Sequence, residues 1–202
     1  MDSKTVAYFV RHGTTALNDS NSFRGPLDPP LDEAGATDAL RLKEFFKDTE
    51  FGDIYASDKL RTQTTAATIL QPHERDFVST KALNAWNVGY LAGQKKDEHQ
   101  AEIEHFQKYP DHRIPKGESL NEFKDRVGPA IDEAIKRGEE SGKPTLVVTH
   151  SSVIHEVGAK LHGNHTAALV RPGGVVAVKR ENGELKAVPI VRPDTKKVGY
   201  GS

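Results

Sequence analysis

Two histidines stand directly after apolar runs, at the points where buried strands would end. Residues 5–10 are followed by Arg11 and His12, and residues 145–149 are followed by His150. Imidazole can act as a nucleophile or a proton carrier, and guanidinium binds anions through paired N–H donors. The pattern therefore indicates anion chemistry at the edge of a sheet.

A third segment brings another arginine to the same edge. Ser57 and Asp58 follow a short strand-like run, residues 53–56, and open a helix that has Arg61 in its first turn. In open α/β sheets, ligands gather at the carboxyl ends of strands, where helix N-termini expose unpaired N–H groups. Two arginines and two histidines are thus predicted to converge on an anion pocket.

The elements that must position these residues alternate between strands and helices, which predicts a layered α/β sheet. Asp32 is a predicted N-cap, and apolar residues recur at helical spacing after it. Ser119 and Glu122 form a capping-box pattern at the start of a long amphipathic helix, which Gly128-Pro129 should kink or divide.

The end of the chain is predicted to form a hairpin. Two apolar stretches, residues 175–178 and 185–191, flank an Asn182-Gly183 pair that is typical of a tight turn. The last residues, 193–202, carry glycine and lysine with little apolar content and are predicted to be a mobile tail.

The composition narrows the class of protein. The chain has 202 residues, no cysteine and a formal net charge of -1. Without cysteine there is no disulfide framework, thiolate nucleophile or cysteine zinc site. The balanced charge argues against nucleic-acid binding. No apolar run approaches the roughly 20 residues that span a bilayer, and no signal peptide precedes the first strand, so the expected location is the cytoplasm.

Two other kinds of site are disfavoured by spacing. His150, His155 and Glu156, with His162 and His165 downstream, do not show the His-Glu-x-x-His spacing of a helical zinc site. No Gly-x-Gly-x-x-Gly follows the first strand, which argues against a dinucleotide-binding unit. We therefore expect neither a metal nor an organic cofactor.

Several short motifs, taken in order, resemble the histidine phosphatase superfamily, in its phosphoglycerate-mutase-like branch, over most of the chain. They are Arg11-His12-Gly13-Thr14 with Asn18, Arg24-Gly25, Asp28-Pro29-Pro30-Leu31 with Gly35, Ser57-Asp58 to Arg61-Thr62 with Thr65-Ala66, Gly117-Glu118-Ser119, and Val148-Thr149-His150-Ser151. The resemblance implies one domain, residues 1–202, folded as a three-layer α/β/α sandwich with a mostly parallel central sheet.

The resemblance also implies a mechanism. His12 would attack phosphorus as a neutral imidazole and form a phosphohistidine, while Arg11, Arg61 and His150 grip the transferred phosphoryl group. His150 would serve best as a protonated donor, kept charged by the nearby phosphate and carboxylates. The protein would then be a metal-independent phosphatase that acts on a small phosphorylated substrate.

Further residues are predicted to support substrate binding. By the same resemblance, Asn18 and Arg24 would contact substrate or phosphate, and Ser151 would follow His150 into the site. Thr14 could donate its hydroxyl or cap the following turn. Glu118 could point into the cleft.

One position departs from the family pattern. Many members carry Leu-x-Glu-x-x-x-Gly, whose glutamate protonates the leaving alcohol, but residues 83–89 here read Leu-Asn-Ala-Trp-Asn-Val-Gly, with Ala85 in the place of the glutamate. Loss of a general acid typically costs about 100 to 10,000-fold in the step that it serves.

Three interpretations of this loss stay open. In the first, another residue supplies the acid, and the candidates are Glu118, Asp28, Asp58 and Asp97. In the second, the substrate has a leaving group that needs little protonation. In the third, the protein is a weakly active or non-catalytic module that binds a phosphorylated ligand. The same gap weighs against a phosphoglycerate mutase, which must protonate and return an intermediate.

The region of residues 85–116 is polar and charged, and in this family such insertions tend to cover the active site and shape substrate choice. The other interpretation, a solvated surface helix, fits most of its charges. The sequence does not distinguish a sugar phosphate, a nucleotide, a cofactor-pathway monoester or a phosphohistidine protein as substrate, and it leaves the oligomeric state open, a homodimer included.

Overall fold

A six-stranded sheet forms the middle layer of the molecule. Its strands are β1 (Lys4–Arg11), β2 (Ile54–Ser57), β3 (Val78–Thr80), β4 (Thr145–Thr149), β5 (Val175–Glu181) and β6 (Glu184–Ile190). They lie in the order β3-β2-β4-β1-β5-β6. Neighbouring strands from β3 to β1 run parallel, whereas β5 is antiparallel to both β1 and β6. The predicted mixed α/β class with a mostly parallel sheet is confirmed.

Helices cover both faces of the sheet. They are α1 (Ala16–Asp19), α2 (Glu33–Phe46), α3 (Leu60–Leu70), α4 (Gln100–Lys108), α5 (Leu120–Ser141) and α6 (Ser151–His162). Short 3₁₀ helices span Gln71–His73, Lys81–Leu83, Gly89–Leu91, Asp97–His99 and His165–Ala168. The computed structural model describes residues 3–190 except Glu74 and Leu169, so the predicted tail at 193–202 lies outside the described residues.

The two faces of the sheet contribute to two separate hydrophobic cores. In β4, Val147 packs in the core that α5 and α6 cover, whereas Leu146 and Val148 pack in the core that α2 and α3 cover. Successive side chains of a strand point to opposite faces, so a strand that is apolar throughout must be covered on both sides. This explains why β4 is buried at every position, and it gives the predicted three layers.

Local signals in the sequence account for several element boundaries. The Asp32 side chain caps α2 by accepting from the Gly35 amide at 2.7 Å, and Ser119 and Glu122 form the predicted capping box. The hairpin of β5 and β6 turns at Asn182 and Gly183, both with positive φ. These predictions are confirmed.

The helix α5 runs through Pro129 as one element of 22 residues and is not divided there. Proline removes one hydrogen bond of the helix. The buried face on both sides of it, which includes Val127 and Ile131, packs on the same core and holds the two halves together. Among the residues that the structure describes, no helix has the length and apolar character of a membrane span.

Candidate active site

His12 follows the last residue of β1 and is held in one tautomer. Its amide donates to the Thr149 carbonyl at 3.1 Å, which ties it to the end of β4. Its Nδ1 lies 2.6 Å from the Gly13 carbonyl oxygen, and because a carbonyl only accepts, Nδ1 carries the proton. The lone pair is therefore on Nε2. The side chain is 1% exposed, so the imidazole is held in place by its own surroundings.

Gly13 allows the segment after β1 to lie against α2. A Cβ at Gly13 would stand 2.4 Å from the Gly35 carbonyl oxygen, and one at Gly35 would stand 2.1 Å from the Thr14 carbonyl oxygen. Neither position can hold a side chain without moving backbone. The two glycines thus set the close approach that fixes the carbonyl partner of His12.

His150 follows β4 and faces His12, with 5.2 Å between the ring centroids. Its Nδ1 lies 3.3 Å from an Arg61 guanidinium nitrogen, which can only donate, so Nδ1 accepts. Its Nε2 lies 2.7 Å from Ser57 Oγ and carries the proton. His150 is thus an oriented neutral imidazole in the ligand-free protein.

Arg61 lies in the first turn of α3, as predicted, and its side chain is wholly buried. One guanidinium nitrogen donates to the Leu27 carbonyl at 2.8 Å and lies 3.3 Å from an Asp28 oxygen. Burial first, and then repulsion from Arg24, lowers the pKa of Arg61 to about 10, against which Asp28 acts. The guanidinium stays charged at neutral pH.

The two histidines share one electrostatic environment. Burial lowers the pKa of both imidazoles well below 6.5, and the Arg61 charge lowers each further. For His12 the lowered pKa favours the neutral imidazole, the form in which Nε2 could act as a nucleophile. For His150 the lowered pKa also favours the neutral imidazole, because the side chain is buried beside the Arg61 guanidinium. The expectation of a protonated His150 applies to a site that holds a phosphate, and for that site it stays a prediction.

His12, Arg24, Arg61 and His150 line a common cavity of about 300 Å³. Ala85, Trp86 and Val88 form part of its wall, and Lys96, Gln100, Ile103 and Gln107 close it from the segment 85–116. Ser151, Ser152 and His155 line it from the start of α6. No carboxylate is among the described residues that line this cavity.

The two other predicted arginines are placed differently. Burial lowers the pKa of Arg24, which lines the cavity. Arg11 instead donates to the Val170 carbonyl at 2.9 Å and is not among the residues that line it. Its charge still reaches the site, because it lowers the pKa values of His12 and Lys96.

Two polar residues after His12 have structural partners instead of facing the cavity. Thr14 Oγ1 donates to Asp32 Oδ1 at 2.6 Å, which joins it to the cap of α2. The Asn18 side-chain oxygen accepts from the Thr15 amide at 2.9 Å in a capping box. Neither residue is among the described residues that line the cavity. Their geometry favours the capping interpretation of Thr14 and gives Asn18 the same kind of role.

Glu118 makes an ion pair away from the cavity. Its Oε1 lies 2.6 Å from an Arg126 guanidinium nitrogen and accepts from the Asn87 amide at 2.8 Å. The pair holds the loop around Asn87 against α5. Glu118 does not line the cavity, and the expectation that it points into the cleft is not met by this structure, because the partly buried guanidinium beside it is the stronger partner.

The remaining candidate acids also have partners elsewhere. Asp28 accepts from the Leu60 amide at 2.9 Å, Asp58 lies 3.7 Å from Lys59 Nζ, and Asp97 accepts from the Asn21 side chain at 2.9 Å. None of the three is among the described residues that line the cavity. Ala85 does line it, so the carboxylate that is missing from the sequence is also missing from the wall.

Sequence reasoning missed six polar residues of the cavity, namely Ser22, Lys96, Gln100, Gln107, Ser152 and His155. Helical spacing could have indicated Gln100 and Gln107, because they share one face of α4 with Ile103 at i, i+3 and i+7. His155 follows Ser151 by one helical turn on α6. No spacing marks Lys96, which precedes these helices in a charged run.

The family model described as histidine phosphatase superfamily (branch 1) matches residues 7–188. The chain belongs to this superfamily. The Escherichia coli O1:K1 / APEC protein named "Probable phosphoglycerate mutase GpmB" is 32% identical over 148 residues, which cover 71% of this chain and 68% of that protein. Histidine phosphatases therefore supply the framework for interpreting this cavity.

Two solved structures show the shared fold. A phosphoglycerate mutase from Thermus thermophilus superposes with a TM-score of 0.72 at 26% identity, covering 94% of this chain and 99% of that one. The alpha-ribazole phosphatase from Shigella flexneri gives a TM-score of 0.76 at 23% identity, covering 95% and 98%. Solved proteins named as mutases and as phosphatases thus share this fold, and similarity alone does not choose between the two activities.

Among the described residues, no group of three or more histidine, aspartate or glutamate side chains is arranged to hold a metal ion. Two histidines of the cavity have hydrogen-bond partners within the protein. His12 and His150 make hydrogen bonds to the backbone, to Ser57 and to Arg61. These contacts fix the orientation of the two imidazoles.

Proposed function

We propose that this protein is a metal-independent phosphatase that hydrolyses a small phosphomonoester through a phosphohistidine on His12. The observation that carries the proposal is the bond from Nδ1 to the Gly13 carbonyl, which leaves the lone pair of a buried, neutral imidazole on Nε2. Nε2 is therefore the atom that would attack a phosphoryl group in the cavity as a nucleophile.

The charges around His12 suit a phosphoryl group. A phosphomonoester carries close to two negative charges at neutral pH, and its transfer requires positive groups around the equatorial oxygens. Arg24 and Arg61 line the cavity as cations, and His150 can donate from Nε2 or take up a proton as the anion binds. These three groups support binding and charge stabilisation without a metal.

Hydrolysis is favoured over the mutase reaction, in which the phosphoryl group is transferred to a second hydroxyl group. A mutase must retain its intermediate and protonate and deprotonate two hydroxyl groups in turn, which calls for a strong acid-base residue. Ala85 occupies the wall where the family's glutamate would stand, and the described lining contains no carboxylate. Water, which needs no reorientation, is the acceptor that this cavity best accommodates.

A steady-state assay tests the proposal. Wild type, His12→Ala and the control His105→Ala, which changes a histidine of α4 that does not line the cavity, are compared on para-nitrophenyl phosphate and ethyl phosphate, with and without a chelator. We expect turnover by wild type and by His105→Ala that the chelator leaves unchanged, and none above background by His12→Ala.

Other results would contradict the proposal. Equal turnover by His12→Ala would exclude the phosphohistidine. Loss of turnover with the chelator would exclude a metal-independent reaction. Binding of phosphate or vanadate without turnover of either ester by wild type would instead support a phosphate-binding module.

A further inference from the structure

The cavity must supply a proton if its substrate is an alkyl phosphate. When the bond from phosphorus to the leaving oxygen breaks, the electron pair stays on that oxygen, and an alkoxide is too basic to leave unprotonated. Glu118, Asp28, Asp58 and Asp97 do not line the cavity, and Ala85 has no proton to give. The donor has to be sought among the cationic and imidazole groups of the wall.

The three imidazoles are poor donors in the ligand-free protein. The pKa values of His12 and His150 lie well below 6.5, and burial lowers that of His155 to about 4, helped by Arg11, His165 and Lys96. Arginine holds its protons too firmly for acid catalysis at neutral pH. Among the described residues of the wall, Lys96 is then the one that holds a transferable proton before the anion binds.

The surroundings of Lys96 keep its ammonium available. Its backbone amide donates to the Asn21 carbonyl at 3.0 Å, which anchors the residue, and the half-buried side chain lines the same cavity as Ala85. No described residue makes an ion pair or hydrogen bond with Nζ, and the neighbouring Asp97 is bonded to Asn21. An unpaired ammonium in a cavity wall is free to face a ligand.

The electrostatics point the same way. Burial lowers the pKa of Lys96, and the Arg24 and Arg11 charges lower it further, while Asp97 acts weakly in the opposite direction. Arg11 is the last residue of β1, and Arg24 lies in the loop that follows α1. A lysine below its ordinary pKa releases a proton more readily and, once neutral, is a competent base.

We propose that Lys96 is the general acid of this phosphatase, in place of the carboxylate that Ala85 lacks. The proposal rests on the phosphohistidine mechanism given above. It assigns to a lysine of the segment 85–116 the task that the family's glutamate performs from the wall of the cavity.

Both half-reactions balance with Lys96 as the acid of the first. In the first, the Nε2 lone pair of His12 forms the bond to phosphorus, the bond to the leaving oxygen breaks, and that oxygen takes a proton from the Lys96 ammonium to give a neutral alcohol. In the second, water attacks phosphorus and its proton passes to an oxygen of the phosphoryl group, while the Lys96 amine regains a proton from solvent. The electron pair of the N–P bond returns to Nε2, and inorganic phosphate leaves.

Acid catalysis is distinguishable from mere attraction between Lys96 and an anion. Lys96→Arg keeps the positive charge but removes the transferable proton, so a binding role would survive it and an acid role would not. The experiment measures kcat and KM for para-nitrophenyl phosphate, whose phenol leaves unprotonated, and for ethyl phosphate. Lys95→Arg is the matched control, because that exposed side chain donates to the Ser20 carbonyl.

For Lys96→Arg we expect kcat on ethyl phosphate to fall by about 100-fold or more, and kcat on para-nitrophenyl phosphate to stay within about threefold of wild type. Lys95→Arg should match wild type on both. In wild type, kcat for ethyl phosphate should decline as pH rises through the lowered pKa of Lys96, below the 10.5 of an ordinary lysine. That decline should be absent with para-nitrophenyl phosphate.

A double variant tests the replacement directly. Adding Ala85→Glu to Lys96→Arg restores a carboxyl group to the wall, and we expect it to recover ethyl phosphate turnover by about 10-fold or more. Because the phenolic ester is an internal control for folding and for His12 chemistry, loss of ethyl phosphate turnover alone cannot be misfolding.

The outcomes separate the two proposals. If Lys96→Arg turns over both esters like wild type, or loses the same factor on both, Lys96 is not the acid and this inference is overturned while the phosphohistidine mechanism stands. If wild type turns over neither ester, the proposed function fails first, and the inference fails with it.

Discussion

The two sides of the cavity are built in contrasting ways. The strand-edge side, formed by His12, Arg61 and His150, is buried, and each of its side chains makes hydrogen bonds to neighbours in the free protein. The lid side, formed by Lys96, Gln100, Ile103 and Gln107, comes from the segment 85–116 and has exposed or half-buried polar groups. The strand-edge side is thus held by its own hydrogen bonds, whereas the lid side is open to solvent. We propose that the first carries phosphoryl transfer and the second contacts the leaving group.

The strand-edge side is the better preorganised of the two. A donor or nucleophile that is held in place before the reaction costs no reorganisation when charge develops. The strand-edge side meets this condition through bonds to the Gly13 carbonyl and Ser57. The lid side meets this condition less, because its groups lie outside the sheet and are exposed or half-buried.

The largest expected effect follows from removing the nucleophile on the strand-edge side. His12→Asn should lower kcat on either ester by more than about 1,000-fold, since no other described group of the wall presents a fixed lone pair to phosphorus. The folded state should survive, which circular dichroism and thermal unfolding can verify. If His12→Asn keeps a tenth of the wild-type kcat, His12 is not the nucleophile.

A second variant loosens the strand-edge side without touching the nucleophile. Arg61→Lys removes the paired contacts to the Leu27 carbonyl and to His150 Nδ1. We expect kcat/KM to fall by about 100 to 1,000-fold on both esters, because a donor to the transferred group and the orientation of His150 are lost together. Retention of wild-type kcat/KM would remove Arg61 from the transfer step.

The protonation state of His150 offers a test that needs no variant. In the free protein its pKa lies well below 6.5, because of burial first and the Arg61 charge second. A bound oxyanion favours the imidazolium, so the pKa should rise by about one unit or more with vanadate. Histidine NMR titrations with and without vanadate give the values, and an unchanged His150 pKa would show that the ring does not face the anion.

The smallest effect is expected outside the cavity. Glu118→Gln breaks a partly buried ion pair with Arg126 and should destabilise the fold by about 1 to 2 kcal/mol. Because Glu118 does not line the cavity, kcat on ethyl phosphate should stay within about twofold of wild type. A selective loss on the alkyl ester would instead return Glu118 to the role of general acid.

The sequence predicted the strand-edge side because its signals are local. Apolar runs that end in His12 and His150, and a helix start that carries Arg61, are enough to place three groups at one edge of a parallel sheet. The caps at Asp32 and Ser119 and the hairpin at Asn182 are likewise set by short-range hydrogen bonding and backbone geometry.

The rest depended on contacts that no local pattern encodes. Thr14 and Glu118 bind Asp32 and Arg126, and these partners come together only in the folded chain. The lowered pKa of His150 depends on burial beside Arg61. Lys96 stands in a polar run that is typical of a solvated surface, and only the tertiary fold brings it to the wall of the cavity.

The most direct test of the account is a search for the phosphorylated enzyme. Wild type and His12→Asn are mixed with para-nitrophenyl phosphate, quenched within the first turnover in alkali, which preserves phosphohistidine, and analysed by peptide mass spectrometry and by phosphorus NMR. We predict one phosphoryl group on Nε2 of His12 in wild type and none in His12→Asn. Para-nitrophenol release in the first turnover with no phosphoryl group on His12, or a phosphoryl group on another residue, would contradict it.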